Sequence, residues 1–294
     1  MKQKTTGADL VFMTVLYALA ILILIVVLYP MWFIVIASFS DPVAVNTGKV
    51  LLLPAMFTLD GYKTLLETDY IMAGYRNTVL YTVVGTLIAL AVNLPAAYAL
   101  SRKDFYGRKF FNIYFIFTMF FSGGLIPTYL TIQQFHLLNT FTIMVLPFSV
   151  AVYHILVART FFQNSLPLGL FDAARIDGCG NLRFFFIIAL PLSKAVIAVI
   201  ALWTAVGHWN SYFNALIYLR DQTRMPLQII LRDILIMNQN MATLIRGEAS
   251  IQAQKTASLI KYASIVVSAA PIMCLYPFIQ KHFNQGVLVG TFKG

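Results

Sequence analysis

Charged residues are scarce in this sequence: they make up 11% of its 294 residues, whereas hydrophobic residues make up 60%. An ordinary soluble domain has about 25% charged and about 45–50% apolar residues. So many apolar side chains cannot all be hidden in one soluble core. The composition therefore argues against a soluble protein and in favour of a chain that places much of its surface in lipid.

Other absences exclude further classes of protein. The sequence has two cysteines, Cys179 and Cys274, one in a predicted loop and one in a predicted helix, which excludes a framework of disulfide bonds. The histidines are scattered, and the apolar segments hold no grouping typical of a metal site or a hydrolase. No Gly-rich phosphate loop ending in Gly-Lys-Ser/Thr occurs, so nucleotide hydrolysis must come from another chain. We therefore expect no catalytic residue, no metal site and no bound cofactor.

Five long segments of the sequence contain no charged residue. A membrane-spanning helix needs about 20 apolar residues to cross about 30 Å of hydrocarbon. One segment, 110–158, is long enough for two helices, and Gln133, Gln134, His136 and Asn139 form a polar cluster near its middle. The first segment is too long for a cleaved signal peptide. We predict an all-α integral membrane protein, one domain over 1–294, with six transmembrane helices at about 11–39, 77–100, 110–130, 141–158, 195–219 and 262–280.

Gly123, Gly124 and Pro127 fall inside the third predicted helix. Glycine weakens a helix, and proline removes a backbone hydrogen bond. We predict a break or kink at this point, which leaves open whether it serves as the hinge of a gate or only suits local packing.

The basic residues indicate the orientation of the chain. An even number of helices puts both termini on one side, and the short loop on that side carries Arg102, Lys103, Arg108 and Lys109. Positively charged loops stay in the cytoplasm, so we predict cytoplasmic N and C termini. This topology accounts for the net charge of +10. We therefore expect membrane lipid and not nucleic acid as a partner.

A cytoplasmic loop at 159–194 contains the signals of a short helix. Pro167 suits the first turn of a helix, and Gly178 suits the left-handed residue after its end. Asn181 is placed to cap a second helix. A helix of about ten residues is marginal alone, which indicates that it packs against something. The residue pattern alone leaves two interpretations of this loop open: a helix that docks in the groove of a partner, and a connector on the membrane surface.

The same loop resembles a family motif. Asp172-Ala173-Ala174, three residues, Gly178, nine residues, and then Ile188-Ala189-Leu190-Pro191 are similar to the EAA loop of ABC-importer permeases, with Asp in place of the first Glu. The resemblance implies the type I importer permease fold. It also implies that the loop is a coupling helix between the fourth and fifth transmembrane helices, which docks on an ATPase subunit through Asp172, Ala173, Ala174, Asp177 and Gly178.

Two further stretches, 121–129 and 206–216, resemble the LplC/YtcP-type branch of the MalG-like carbohydrate-uptake permeases. This resemblance implies import of a sugar, with an oligosaccharide as the expected cargo, across the bacterial cytoplasmic membrane. The implied partners are a second permease subunit, an external solute-binding protein and two ATP-binding cassette subunits, which carry ATP and Mg. The tail 281–294 is then expected to enter the ATPase interface through Gly290, Lys293 and Gly294.

Polar side chains within apolar spans are costly and often face a cavity. Beside aromatic faces, amides can bind a sugar ring and its hydroxyls. They can also serve simply as hydrogen bonds between helices, and the aromatic residues as anchors near a helix end. The candidates for the substrate pathway are Asn93, His208, Trp209, Asn210, Tyr212 and Asn214.

Two alternatives stay open. An ABC permease for a solute other than a sugar would share the coupling loop. An ion-coupled secondary transporter would normally carry acidic or basic residues within its spans and often an internal repeat. The predicted spans contain no Asp or Glu, which favours the ATP-driven alternative.

Overall fold

A computed structural model describes residues 7–244, 258–274 and 277. Its described part is helical, and its β pairing consists of one isolated bridge between Ser40 and Phe57. The helices are α1 Gly7–Ser38, α2 Pro42–Asn46, α3 Asp60–Glu67, α4 Asp69–Ser101, α5 Arg108–Phe120, α6 Leu125–Gln134, α7 Phe141–Val145, α8 Val152–Ser165, α9 Leu168–Ile176, α10 Asn181–Phe184, α11 Leu190–Leu192, α12 Lys194–Trp209, α13 Tyr212–Tyr218, α14 Leu227–Leu244 and α15 Ser258–Cys274, with a π-helical turn at Phe185–Ala189 and a 3₁₀ turn at Gln222–Arg224.

The described residues form two compact units, one of 7–68 with 231–244 and 258–269, and one of 69–230 with 270–274 and 277. In the first unit, α1 exposes nearly all of its apolar side chains up to Trp32. This exposure is expected for a helix that crosses lipid. At the C-terminal end of α1, Ile36 and Ala37 belong to a small core together with Val50. The Ser38 hydroxyl also shares a hydrogen bond of 2.7 Å with the Tyr62 hydroxyl.

The second unit is built on α4, which packs against α8 and α12. Its 33 residues would span about 50 Å at 1.5 Å per residue, more than the hydrocarbon thickness. The predicted helix 77–100 lies within it, and the extra turns precede Asn77. The helix continues through Pro95. Small and apolar residues from α4, α8 and α12, among them Ala97, Ala158 and Ile200, form the core.

The predicted helix at 110–130 is broken. Helices α5 and α6 meet at an angle of 113°. The break contains Gly123 and Gly124, and Gly124 has φ +85°, a backbone conformation that favours glycine. Pro127 lies in the first turn of α6, where proline costs a helix little. The segment 110–130 is thus interrupted at the glycine pair, where the sequence predicts a break.

Two other predicted helices are also interrupted. The expected 141–158 helix consists of α7 and α8 with a gap that contains Pro147, and α8 continues to Ser165. Proline lacks the N–H that a continuous helix needs. The expected 195–219 helix breaks between α12 and α13, where Asn210 and Ser211 side chains bond the carbonyls of Val206 and His208.

The last predicted helix, 262–280, corresponds in part to α15, and the tail with Gly290, Lys293 and Gly294 lies outside the described residues. In the described part of the chain, α1 and α4 are each long and apolar enough to cross a membrane. The bent pairs Arg108–Phe120 with Leu125–Gln134 and Asn181–Leu192 with Lys194–Trp209 raise the number to up to 4. The count of six therefore stays a prediction.

Candidate functional site

The ends of α9 follow the local signals of its sequence. Pro167 caps its start in an extended conformation. At the other end, Gly178 has φ +74° and donates its N–H to the Arg175 carbonyl at 3.1 Å. The next N–H, of Cys179, reaches the Ala174 carbonyl at 2.9 Å. This pair of bonds is the Schellman motif, which satisfies carbonyls that a helix end leaves free. The predicted short helix is thus present.

A second helix follows at α10, with a different cap from the predicted one. Gly180 is its N-cap, and Asn181 is its first residue. The Phe184 N–H bonds the Gly180 carbonyl at 2.9 Å. The helix therefore begins one residue earlier than expected, and Asn181 lies within it and not at its cap.

One face of α9 is packed into the second unit. Phe171 and Ala174, three residues apart on the same side of the helix, are both buried. The Phe171 ring meets the Phe184 ring edge-on, with 5.2 Å between centroids. Tyr98, near the end of α4, belongs to the same core and stacks on Phe184 at 6.3 Å. The helix is therefore held on the end of α4 by aromatic packing.

A charged side chain completes this attachment. The guanidinium of Arg102 lies 3.1 Å from the centroid of the Phe171 ring, in cation–π geometry. It also bonds both carboxylate oxygens of Asp104, at 3.1 and 3.3 Å. The hydrogen bond from Arg102 lowers the pKa of Asp104, so this carboxylate stays ionised and holds the guanidinium over the ring. Sequence reasoning missed Arg102 and Phe171 as parts of the site, although the spacing of Phe171 and Ala174 indicates a buried face.

The opposite face of α9 has no cover in the described part of the chain. Asp172, Ala173 and Asp177 are exposed. Ile176 is 87% exposed, an unusual state for an isoleucine outside a lipid-facing span. A helix with one apolar face anchored and a mixed apolar and acidic face free is suited to docking in the groove of a partner.

The structure separates two alanines that the sequence analysis treated alike. The resemblance to the family motif implies that Ala173 and Ala174 both contact the ATPase subunit. Ala173 is exposed, whereas Ala174 is only 8% exposed and belongs to the core beneath α9. Its small side chain therefore allows α9 to approach its own unit closely, and only Ala173 of the pair is available to a partner.

Three of the six pathway candidates are buried. Asn93 has no exposed surface; its amide nitrogen donates to the Ser149 carbonyl at 2.9 Å, and its amide oxygen accepts from the Ala151 N–H at 3.3 Å. It thus satisfies backbone groups in the gap between α7 and α8. Ser149 in turn donates to the Gly85 carbonyl at 3.2 Å, so side chains bind this gap to α4.

His208 and Trp209 are the other two buried candidates. The His208 ring lies directly against Gly85, since a Cβ added to that glycine would come within 2.3 Å of the ring Nε2 atom. This Nε2 has no hydrogen-bond partner among the described residues. Trp209 packs edge-on against Tyr75 with 5.9 Å between ring centroids. Both side chains hold α12 against α4.

The remaining candidates lie at the break between α12 and α13. Asn210 and Tyr212 are exposed, and Asn214 is half-buried. The Asn210 amide nitrogen bonds the Val206 carbonyl at 3.0 Å. The structure therefore divides the six candidates into a buried set and a set at the surface of the second unit.

The fold and the loop define a class of protein, and comparison with known families gives the same class. The family described as "Binding-protein-dependent transport system inner membrane component" matches residues 70–289, and the chain belongs to it. It is therefore a membrane permease component of an ABC transporter, not a catalytic subunit. The resemblance found in the loop is thereby confirmed at the level of the family.

Similar proteins cover nearly the whole chain. The polygalacturonan/rhamnogalacturonan transport system permease protein YtcP of Bacillus subtilis is 38% identical over 96% of this chain and 98% of its own length. Protein LplC of the same organism is 38% identical over 92% of this chain and 90% of its own. The arabinooligosaccharides transport system permease protein AraQ of Halalkalibacterium halodurans is 28% identical over 100% of both chains.

Among solved structures, a chain of a bacterial ABC transporter involved in the import of the acidic polysaccharide alginate superposes with a TM-score of 0.87. It is 31% identical, and the match covers 96% of this chain and 100% of that chain. This likeness supports the type I permease fold for the described all-helical chain.

Proposed function

We propose that the chain is one of two permease subunits of an ATP-driven importer that carries an oligosaccharide across the bacterial cytoplasmic membrane. The relatives named for their cargo transport polygalacturonan and rhamnogalacturonan, arabinooligosaccharides, or alginate. All of these are chains of sugar units. Three of these four, polygalacturonan, rhamnogalacturonan and alginate, contain acidic sugars, so an oligosaccharide with uronate units is the first cargo to test.

The proposed topology has six transmembrane helices and both termini in the cytoplasm. The uncharged segments support the count, and the basic loop between α4 and α5 supports the orientation. In this topology α9 is the coupling helix between the fourth and fifth spans. A separate ATPase subunit hydrolyses ATP with Mg and engages α9, and Gly290, Lys293 and Gly294 of the tail contribute to the same interface.

The observation that carries the coupling role is the two-sided character of α9. Its buried side is attached to α4 through Phe171, Ala174 and Arg102. Its free side presents Asp172 and Ala173. A push on the free side is therefore transmitted to the longest helix of the second unit without any new contact having to form.

For the pathway, we assign different roles to the two sets of candidates. Asn210, Tyr212 and Asn214 would contact the sugar, because two of them are exposed and all three lie at a helix break, where backbone and side-chain polar groups are available. Asn93, His208 and Trp209 would form the wall behind them and fix its shape.

The coupling assignment can be tested with two neighbouring residues on opposite faces of α9. In a variant whose Cys179 and Cys274 are replaced by Ser, we would introduce Ala173→Cys or Ala174→Cys and assemble the chain with its second permease and ATPase subunits. We expect a thiol cross-linker to join Ala173→Cys to the ATPase subunit, because Ala173 is exposed. Ala174→Cys is the matched control and should react at least about tenfold less, because burial restricts access to the thiol.

Cross-linking should also respond to ATP, since the docked helix moves with the ATPase. Equal labelling at both positions would contradict the assignment of Ala173 to the exposed face of α9 and of Ala174 to its buried face. No cross-link from Ala173→Cys in an assembly that hydrolyses ATP would overturn the coupling role itself.

A further inference from the structure

A second surface feature lies beside the coupling region, where the loop after α4 meets α5 and α8. It is an open cavity of about 790 Å³. Four basic residues line it: Lys103, Arg108, Lys109 and Arg159. Lys103 lies in the loop between α4 and α5, and Arg108 and Lys109 begin α5. Arg159 comes from α8, fifty or more residues further along the chain.

Within the described residues, no ion pair neutralises the basic side chains of this cavity. None of its four basic residues forms an ion pair among the described residues. One carboxylate, that of Asp104, also lines the cavity, but it is bound to Arg102. The Arg108 charge acts unfavourably on that of Arg159, and the buried Nε of Arg159 has no hydrogen-bond partner in the described part of the chain. A cluster of this kind is suited to an anion, because guanidinium groups bind phosphate oxygens in pairs.

The other end of the cavity is apolar. Ile113 and Ile116 line it from α5 and are 62% and 40% exposed. They lie about 7.5 and 12 Å along the helix axis from Arg108, at 1.5 Å per residue. This distance corresponds to the step from a lipid headgroup to its acyl chains. Inorganic phosphate would leave this apolar wall uncovered.

We propose that this cavity binds an anionic phospholipid, with the phosphodiester on Arg108 and Arg159 and an acyl chain along Ile113 and Ile116. Lys103 and Lys109 contribute long-range attraction at the membrane surface. The site is separate from the free face of α9. The proposed topology determines only which leaflet supplies the lipid: the cytoplasmic one.

Lipid binding can be measured on the full-length chain in dodecyl maltoside by native mass spectrometry. We would titrate dioctanoyl phosphatidylglycerol and, in parallel, dioctanoyl phosphatidylcholine. We expect the first lipid to bind more tightly, and Arg108→Gln/Arg159→Gln to weaken it by about tenfold or more, because hydrogen bonds between charged groups are lost. The matched control is Arg183→Gln/Lys194→Gln, which removes two positive charges from the same predicted side of the membrane but outside the cavity. We expect this variant to bind phosphatidylglycerol with the affinity of the unmodified chain.

Each contrary outcome has a distinct meaning. Equal affinity for the two lipids would overturn the proposal, and so would equal losses in the two double variants, since these indicate only general attraction to basic loops. Competition on the unmodified chain gives a test that needs no variant: displacement of the lipid by an equal concentration of inorganic phosphate would show a phosphate site instead. Because neither sugar nor ATPase is present, failure here leaves the transport proposal untouched.

Discussion

Asn93 binds two backbone groups that lie far from it in the sequence. It bonds the Ser149 carbonyl and the Ala151 N–H, 56 and 58 residues further along the chain. Both groups belong to a non-helical gap inside the second unit. Groups of this kind are costly to leave unpaired where water is absent. The side chain therefore makes an irregular segment possible beside α4.

We predict that Asn93→Leu lowers the thermal stability of the purified chain in detergent. Leucine has a similar volume but leaves the buried Ser149 carbonyl and the half-buried Ala151 N–H without the amide that binds them, at a cost of up to about 1–3 kcal/mol for each group. Asn210→Leu is the control, because Asn210 is exposed and its amide bonds a carbonyl of the helix that it follows. The measurement is the midpoint of thermal unfolding. Equal midpoints for the two variants would contradict a structural role for Asn93.

For single residues, the sequence indicated that Asn93 is a polar residue within an apolar span, but it did not indicate which groups Asn93 binds. Its partners are backbone groups of a gap that no local pattern around Asn93 reveals. The same holds for Gly85, whose importance comes from the His208 ring that lies against it. Contacts between distant segments depend on how the helices pack, and one sequence does not contain that information in readable form.

Among the helices, α9 and α4 are the pair that transmits force in the proposed mechanism. Arg102 is the joint between them, since it lies over Phe171 and is held by Asp104. The attachment combines a charge with a flat ring. It is therefore sensitive to the shape of the residue at 102 as well as to its charge.

We predict that Arg102→Ala uncouples transport from ATP hydrolysis in the assembled importer. A cation–π contact is worth about 0.5–2 kcal/mol, which corresponds to roughly two- to thirtyfold in the equilibrium between attached and detached α9. Substrate uptake per ATP hydrolysed should fall, while the hydrolysis rate persists. The assay is uptake into proteoliposomes with phosphate release measured in parallel.

Two variants separate the contributions to this joint. Arg102→Lys keeps the charge but loses the planar stacking, and we expect it to restore coupling only in part. Asp104→Asn removes the ion pair and leaves the ring contact, so its effect should be the smaller one. Unchanged uptake per ATP in Arg102→Ala would remove Arg102 from the coupling path.

Which helices could be predicted depends on whether their ends are determined locally. Pro167 and Gly178 fix the limits of α9 through their own backbone preferences, and Gly123 and Gly124 likewise indicate the break before α6. The breaks near Pro147 and Asn210 were not predicted. A proline within an apolar segment is compatible with a continuous helix, as Pro95 in α4 demonstrates, and the packing of neighbouring helices decides between the two outcomes.

For the whole molecule, the proposed importer divides its work between chains. The sequence provides apolar helices, polar groups at helix breaks and an exposed coupling face, but no Gly-rich loop for phosphate. In the proposed mechanism the energy for transport enters through α9. This division predicts that activity appears only when the chain is assembled with its partners.

We predict that the purified chain hydrolyses no ATP, whereas proteoliposomes that contain it with a second permease, two ATPase subunits and a solute-binding protein take up an oligosaccharide in an ATP-dependent manner. Oligogalacturonides, alginate oligosaccharides and arabinooligosaccharides form the test panel. The correct cargo should raise ATP hydrolysis only when the binding protein is present, and omission of that protein is the control. Uptake driven by an ion gradient without ATP would identify a secondary transporter, and ATP-dependent uptake of a solute other than a sugar would retain the coupling mechanism but refute the cargo.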